Sequence, residues 1–237
     1  MKHCLRSLET TPSTLERSWD AEGVEILRAR VTLPQPQGEE RTSRRIRRFY
    51  QLQSRSFLRY CESFLLPQAR AEHEAALAAS APLRCFSAEL TYQVTYNENG
   101  LWSLWTLSRE VTNEIFLTRR GDTWDLCEGC PVPLSRFFRR RTNWRKLLLR
   151  RAADEMERRE RAGQSRWRED WRRALRRSFN PRDYYLTEEG LAFFLPMYAV
   201  GGTAEGIPTF LLPWDAETRL SRPEPPQPPL ASFPSLW

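Results

Sequence analysis

The stretch Tyr184–Trp214, YYLTEEGLAFFLPMYAVGGTAEGIPTFLLPW, decides the reading of this 237-residue chain, because it holds the densest apolar content around informative turn residues. Tyr184 to Leu186 and Leu191 to Leu195 are β-rich runs. Thr187-Glu188-Glu189-Gly190 between them supplies polar turn residues and a glycine where left-handed backbone is cheap. The pattern predicts a hairpin. Pro196 ends its second strand, and Gly201-Gly202 and Gly206 let the chain double back. Ile207 to Leu212 offers a third apolar run that Pro208 and Pro213 confine to an edge or a strand end. Nothing in the stretch reads as a nucleophile, a metal ligand set or a phosphate cradle, so a folding unit is expected rather than a reaction centre.

Upstream, Asn143 is a suitable N-cap for a helix carrying Trp144, Leu147, Leu148, Ala152 and Met156, which Gly163 ends. A second helix with Trp167, Trp171, Leu175 and Phe179 stops at Asn180-Pro181, where the residue before proline leaves the helical region. Pro131 to Phe138 reads as a short helical turn. Leu90, Tyr92, Val94 and Tyr96 alternate with Thr91, Gln93 and Thr95; Asn97 to Gly100 turns the chain, and Leu101 to Arg109 returns. Two further strands are expected at Glu114 to Thr118 and Thr123 to Leu126, joined by a turn at Arg119-Arg120-Gly121-Asp122. Val24 to Leu33 alternates as a first strand. From Ser43 the positions Ile46, Phe49, Tyr50, Phe57, Tyr60 and Phe64 form one helical stripe, Pro67 kinks or interrupts it, and the Ala-rich segment 69–80 resumes it.

The order specifies an α+β fold: an antiparallel sheet or sheets, a long N-terminal helix, and two later helices packed on one side. Residues 1–20 are expected as a flexible N-terminus, 21–214 as one domain, and 215–237, ending RPEPPQPPLASFPSLW, as a Pro-rich disordered tail.

The run Phe179, Tyr184 to Leu191, Phe193, Phe194, Pro196, Tyr198, Gly201, Gly202, Ile207, Pro208 and Phe210 resembles the C-terminal part of the RsiV-type domain. That domain occurs in bacterial anti-sigma factors and beside PdaC-type deacetylase modules. The likeness extends more weakly over residues 20–214, with 21–86 similar to the PdaC-associated N-terminal part and 87–214 to the RsiV-like part. Many relatives carry a Gly-Gly-Ala-His-Gly segment where this chain has Arg109 to Glu114, Arg-Glu-Val-Thr-Asn-Glu. The resemblance implies a bacterial, non-catalytic ligand- or protein-binding domain of uncharacterised role, with a cell-wall-related ligand or a lysozyme-like protein as partner.

Composition narrows the alternatives. The net charge is +7, and all basic residues but Lys2 and Lys146 are arginines. Arg139 to Arg177 holds sixteen basic residues against six acids, with Trp144, Trp167 and Trp171 among them. That mixture suits nucleic acid, but helical spacing places the tryptophans on apolar stripes, so an Arg-rich nucleic-acid-binding protein is the alternative and not the leading reading. No run of about 18 apolar residues is present, and the N-terminus lacks a signal-peptide core, so a cytoplasmic location without a membrane span is expected.

Five scattered cysteines fit reduced thiols. Cys127-Glu128-Gly129-Cys130 has the spacing of a chelating or redox pair, yet no second paired motif accompanies it. Cys127 and Cys130 are therefore only weak metal candidates, and no cofactor is expected. His3 lies in a ragged N-terminus, and His73 reads as a surface residue of an Ala-rich helix, so neither suggests a catalytic base. An enzyme would need acids brought together from distant positions.

Overall fold

The computed structural model describes residues 6–214 and 223–224. The expected mixed α+β architecture is observed. A six-stranded sheet runs in simple order through β1 (Thr10–Ala21), β2 (Val24–Pro36), β3 (Phe86–Glu98), β4 (Leu101–Val111), β5 (Ile115–Asp125) and β6 (Cys130–Pro131). All neighbours are antiparallel except β2 and β3, whose parallel register pairs Leu27 with Phe86 and Val31 with Leu90. A parallel pair requires a crossover. It is supplied by α1 (Arg41–Tyr60), a π-helical segment (Cys61–Leu65) and α2 (Leu66–Ala78). Pro67 sits in the first turn of α2, where its missing N–H is tolerated, and the wide turn directly precedes it.

α1 covers one face of this sheet. Ile46 and Tyr50 pack with Val31, Leu33, Trp102, Leu104 and Trp124, all buried. The opposite face receives a second, three-stranded antiparallel sheet of β7 (Tyr184–Leu186), β8 (Gly190–Phe194) and β9 (Thr209–Pro213). Its hairpin and third strand lie where the sequence placed them, with Tyr184 opposite Phe193 and Phe193 opposite Phe210. One face of the small sheet is covered by α3 (Trp144–Arg161) and α4 (Trp171–Ser178), burying Leu148, Met156, Leu175, Phe193 and Phe210 in a common core. The other face puts Tyr185 and Phe194 against Trp105 of β4. The aromatic content of the closing third is thus interior.

Three expectations are corrected. Residues 10–20, expected to be flexible, form the edge strand β1, paired with β2 along its whole length. Its side chains are almost all exposed on both faces, so no alternation marks it in the sequence. Second, the turn expected at Arg119 to Asp122 is the middle of the continuous strand β5. Gly121 serves the approach of another backbone there: a Cβ on it would lie 1.9 Å from the Tyr184 carbonyl oxygen. Third, His73 is buried, not at the surface, and neither ring nitrogen has a hydrogen-bond partner among the described residues. The Pro-rich tail and His3 lie outside the described residues, apart from Pro223 and Glu224.

Candidate functional site: a cleft beside the sheet crossing

Where β7 crosses β5 the chain leaves a cleft of about 800 Å³. Its walls come from the middle of β5, the loop from Pro131 to Ser135, the first residue of α3 and the segment Asn180–Tyr184. The crossing is held by specific bonds. The Leu186 N–H donates to Ser103 Oγ at 2.9 Å, the Ser103 and Thr123 hydroxyls meet at 2.8 Å, and the Tyr184 hydroxyl donates to the Val132 carbonyl. Burial of Tyr184 pushes its phenol far above the ordinary range.

Two acidic residues, Asp122 and Asp183, are among those that border the cleft, the Asp122 carboxylate turning away from it. Asp122 projects from β5 toward α1, its side chain only 11% exposed. Arg120 Nε donates to its Oδ1 at 3.1 Å, and the Tyr50 hydroxyl donates to its Oδ2 at 3.3 Å. Trp124 Nε1 in turn donates to the Tyr50 oxygen at 3.3 Å. Burial pushes the Asp122 carboxyl up, and the Arg120 charge and these bonds only partly oppose it. Asp183 follows α4: Asn180 Nδ2 donates to its Oδ1 at 3.0 Å, while Asn180 Oδ1 accepts the Arg182 N–H at 3.1 Å. Burial raises the Asp183 carboxyl as well, with the Asn180 bond acting against it.

These bonds set what the cleft can do. Both oxygens of Asp122 are committed inside the protein, which suits a structural acid better than a proton-transfer group. Asp183 has one engaged oxygen, and Arg182 forms no ion pair among the described residues. Trp144 lies half-buried on the wall, stacked near Phe138. No histidine is among the described residues that line the cleft. The hollow is bordered by a carboxylate, a guanidinium, an amide side chain and an indole.

The cysteine pair belongs to a different structure. Cys127 and Cys130 occupy a tight turn organised by Asp125, whose Oδ1 accepts the N–H groups of Cys127 and Glu128 and whose Oδ2 accepts Arg136 Nη1. Burial acts to raise the Asp125 carboxyl, but bonds from Glu128, Arg136 and Cys127 together hold it below its ordinary value. Cys127 is disulfide-bonded whereas Cys130 is a free thiol. The expectation of reduced cysteines holds for Cys61, Cys85 and Cys130 and not for Cys127. Among the described residues no group of three His, Cys, Asp or Glu side chains is placed to hold a metal. Trp167 and Trp171 of the Arg-rich region are buried, the first donating from Nε1 to the Met156 carbonyl.

Sequence reasoning did not pick out Asp122, Asp183, Arg182 or Asn180. The one local signal was Gly121, a glycine within an otherwise strand-like run, which marks a close backbone approach.

Fold and cleft define a two-sheet α+β protein whose helices cover a face of each sheet and whose hollow opens where the sheets cross. The family described as "Protein of unknown function (DUF3298)" matches residues 135–215 of this chain. Among solved structures, the chain is similar to a member of that family from Bacteroides fragilis NCTC 9343. The TM-score is 0.67 at 11% identity, over 92% of this chain and 95% of the other. It is also similar to a DUF3298 family protein from Pseudomonas aeruginosa PAO1, with a TM-score of 0.55 at 12% identity over 94% and 98% of the two chains. At such identities the likeness is one of fold. No curated protein matches. No helix among the described residues is long and apolar enough to cross a membrane.

Proposed function

We propose that this chain is a non-catalytic binding domain of the RsiV type, and that its ligand or protein partner engages the cleft through Trp144, Arg182 and Asp183. The observation that carries the reading is the state of the two acids. Asp122 is held on both oxygens inside the protein, while Asp183 and Arg182 border the cleft, the first with one carboxylate oxygen engaged and the second without an ion pair among the described residues. The resemblance of the closing stretch makes a lysozyme-type protein the first partner to test and a soluble cell-wall fragment the second.

Calorimetric titration of the full chain with each, repeated on Asp183→Asn and Arg182→Ala, decides the matter. Saturable binding that both substitutions weaken supports the proposal, and no saturable heat with either partner counts against it. The disulfide at Cys127 favours an oxidising compartment over the cytoplasm expected from the sequence. Cell fractionation followed by thiol-alkylation mass spectrometry separates the two locations.

A further inference from the structure

In the small sheet β9 is an outer strand, paired with β8 alone. Antiparallel pairs alternate between bonded and unbonded positions, and two bonds fix the phase: the Leu195 N–H donates to the Pro208 carbonyl at 2.9 Å and the Trp214 N–H to the Glu189 carbonyl at 3.1 Å. By that alternation Phe210 and Leu212 bond to β8, whereas the main-chain groups of Thr209, Leu211 and Pro213 point off the edge of the sheet. No strand among the described residues pairs with this edge. A cleft of about 580 Å³ runs beside it, with Thr209, Leu211 and Pro213 in its lining and Arg151 and Arg159 of α3 opposite. The edge is therefore open, and open edges accept another strand.

Two of the outward positions offer nothing to a newcomer. The Thr209 carbonyl already accepts Arg159 Nη2 at 3.0 Å, and Pro213 has no N–H. What remains is the Thr209 N–H, both groups of Leu211 and the Pro213 carbonyl. A two-fold axis at Leu211 sets Thr209 of each copy opposite Pro213 of the other and Leu211 opposite itself. Each Thr209 N–H then donates to a Pro213 carbonyl, and each Leu211 N–H to a Leu211 carbonyl. Every remaining group is satisfied. The occupied Thr209 carbonyl faces the one residue type without a donor, whereas any other residue at that place would bring an N–H with no acceptor.

Charge follows the same symmetry. At the Thr209 end Arg158 and Arg159 outnumber Glu155, which accepts from both. Glu188 and Glu189 are exposed at the Pro213 end, where Glu189 accepts the Trp214 N–H. The two-fold axis lays the basic end of each copy against the acidic end of the other.

We propose that this chain forms a symmetric dimer by antiparallel pairing of β9 with β9 of a second copy, which joins the two small sheets into one across an axis at Leu211. The edge lies on the opposite side of the small sheet from β7, and the inference does not depend on the reading given to the cleft at the sheet crossing. The contact is short, so a dissociation constant on the order of 10–100 µM is expected rather than a permanent dimer.

Sedimentation of the full chain from about 1 to about 500 µM tests it, a range that brackets such a constant. The mass should rise from 28.0 kDa toward twice that value. Leu211→Glu and Leu211→Lys each set like charges across the axis, and each should stay monomeric where wild type is dimeric. An equimolar mixture of the two variants should recover the dimer, because unlike charges then meet. A role of Leu211 confined to packing beside Tyr185 and Ala192 gives no such recovery.

A wild-type mass of 28.0 kDa at every concentration overturns the proposal. So do variants that dimerise as wild type does, or folded variants whose mixture remains monomeric. Should the variants not fold, amide hydrogen exchange of wild type replaces them. The outward Thr209 and Leu211 amides should exchange at least about tenfold more slowly in concentrated than in dilute protein, while Phe210 and Leu212 are slow in both. An associated form in which Thr209 and Leu211 exchange as fast as in dilute protein places the contact elsewhere, and the proposal falls.

Discussion

At Gly121 a methyl group has no room. The nearest atoms to an added Cβ are the carbonyl oxygen and carbon of Tyr184, at 1.9 and 2.6 Å, and both are backbone that cannot rotate away. Gly121→Ala is therefore expected to force β7 from β5 and to cost about 3 kcal/mol or more. The contrasting case is Gly163, which has a φ of +66° and nothing within 4 Å, so alanine there carries only the backbone penalty of about 1 kcal/mol. Urea unfolding of the two variants checks the contrast, and equal midpoints would refute the close approach.

Charge at single residues has its own signature. Glu155 accepts from Arg158 and Arg159, with Arg158 the larger influence, and its carboxyl is held at about 2 against an ordinary 4.5. A depressed carboxyl stabilises the fold above its ordinary value and loses that contribution as pH falls toward the folded one. Glu155→Gln should thus lower stability near neutral pH by about 1 kcal/mol or less, the pair being largely solvated. Wild type and variant should converge near pH 2, as urea titrations across that range will show. Asp122 has the opposite sign: its raised carboxyl favours the fold in acid, and that contribution is lost as pH rises through the raised value.

Among the elements, α3 shows how far local chemistry reaches. Asn143 Oδ1 accepts the Lys146 N–H at 3.1 Å, so the cap inferred from sequence is the one that forms. Asn143→Ala should cost about 1 kcal/mol, read from the thermal unfolding midpoint. The hairpin Tyr184–Phe194 was legible for a similar reason, since turn residues and apolar runs agreed on one local answer. β1 was not, because a strand exposed on both faces buries nothing and leaves no period to read. β5 misled because Arg-Arg-Gly-Asp has the composition of a turn, while the glycine answers to Tyr184, distant in sequence. Asp183 escaped notice for the same reason: it comes to line the cleft beside β5 only once the two sheets cross.

At the scale of the whole molecule, the sheets share fastenings rather than merely touching. Ser103 of β4 accepts from β7, Tyr184 bonds the loop after β6, and Arg119 of β5 reaches Thr209 of β9. Residues 6–214 should therefore lose structure together. Tryptophan fluorescence and far-ultraviolet circular dichroism are expected to give coincident urea transitions. Two separated transitions would mean that the small sheet with α3 and α4 is an independent unit.

The lone parallel seam bears on how the molecule assembles in time. Every other strand pair of the large sheet from β1 to β6 can zip from a nearby bend, but β2 and β3 meet only after the intervening helical crossover has been laid down. Closing so wide a loop is entropically slow, so the β1–β2 ribbon and the β3–β4–β5 ribbon should exist briefly as unjoined pieces whose raw borders are open to mispairing with other chains.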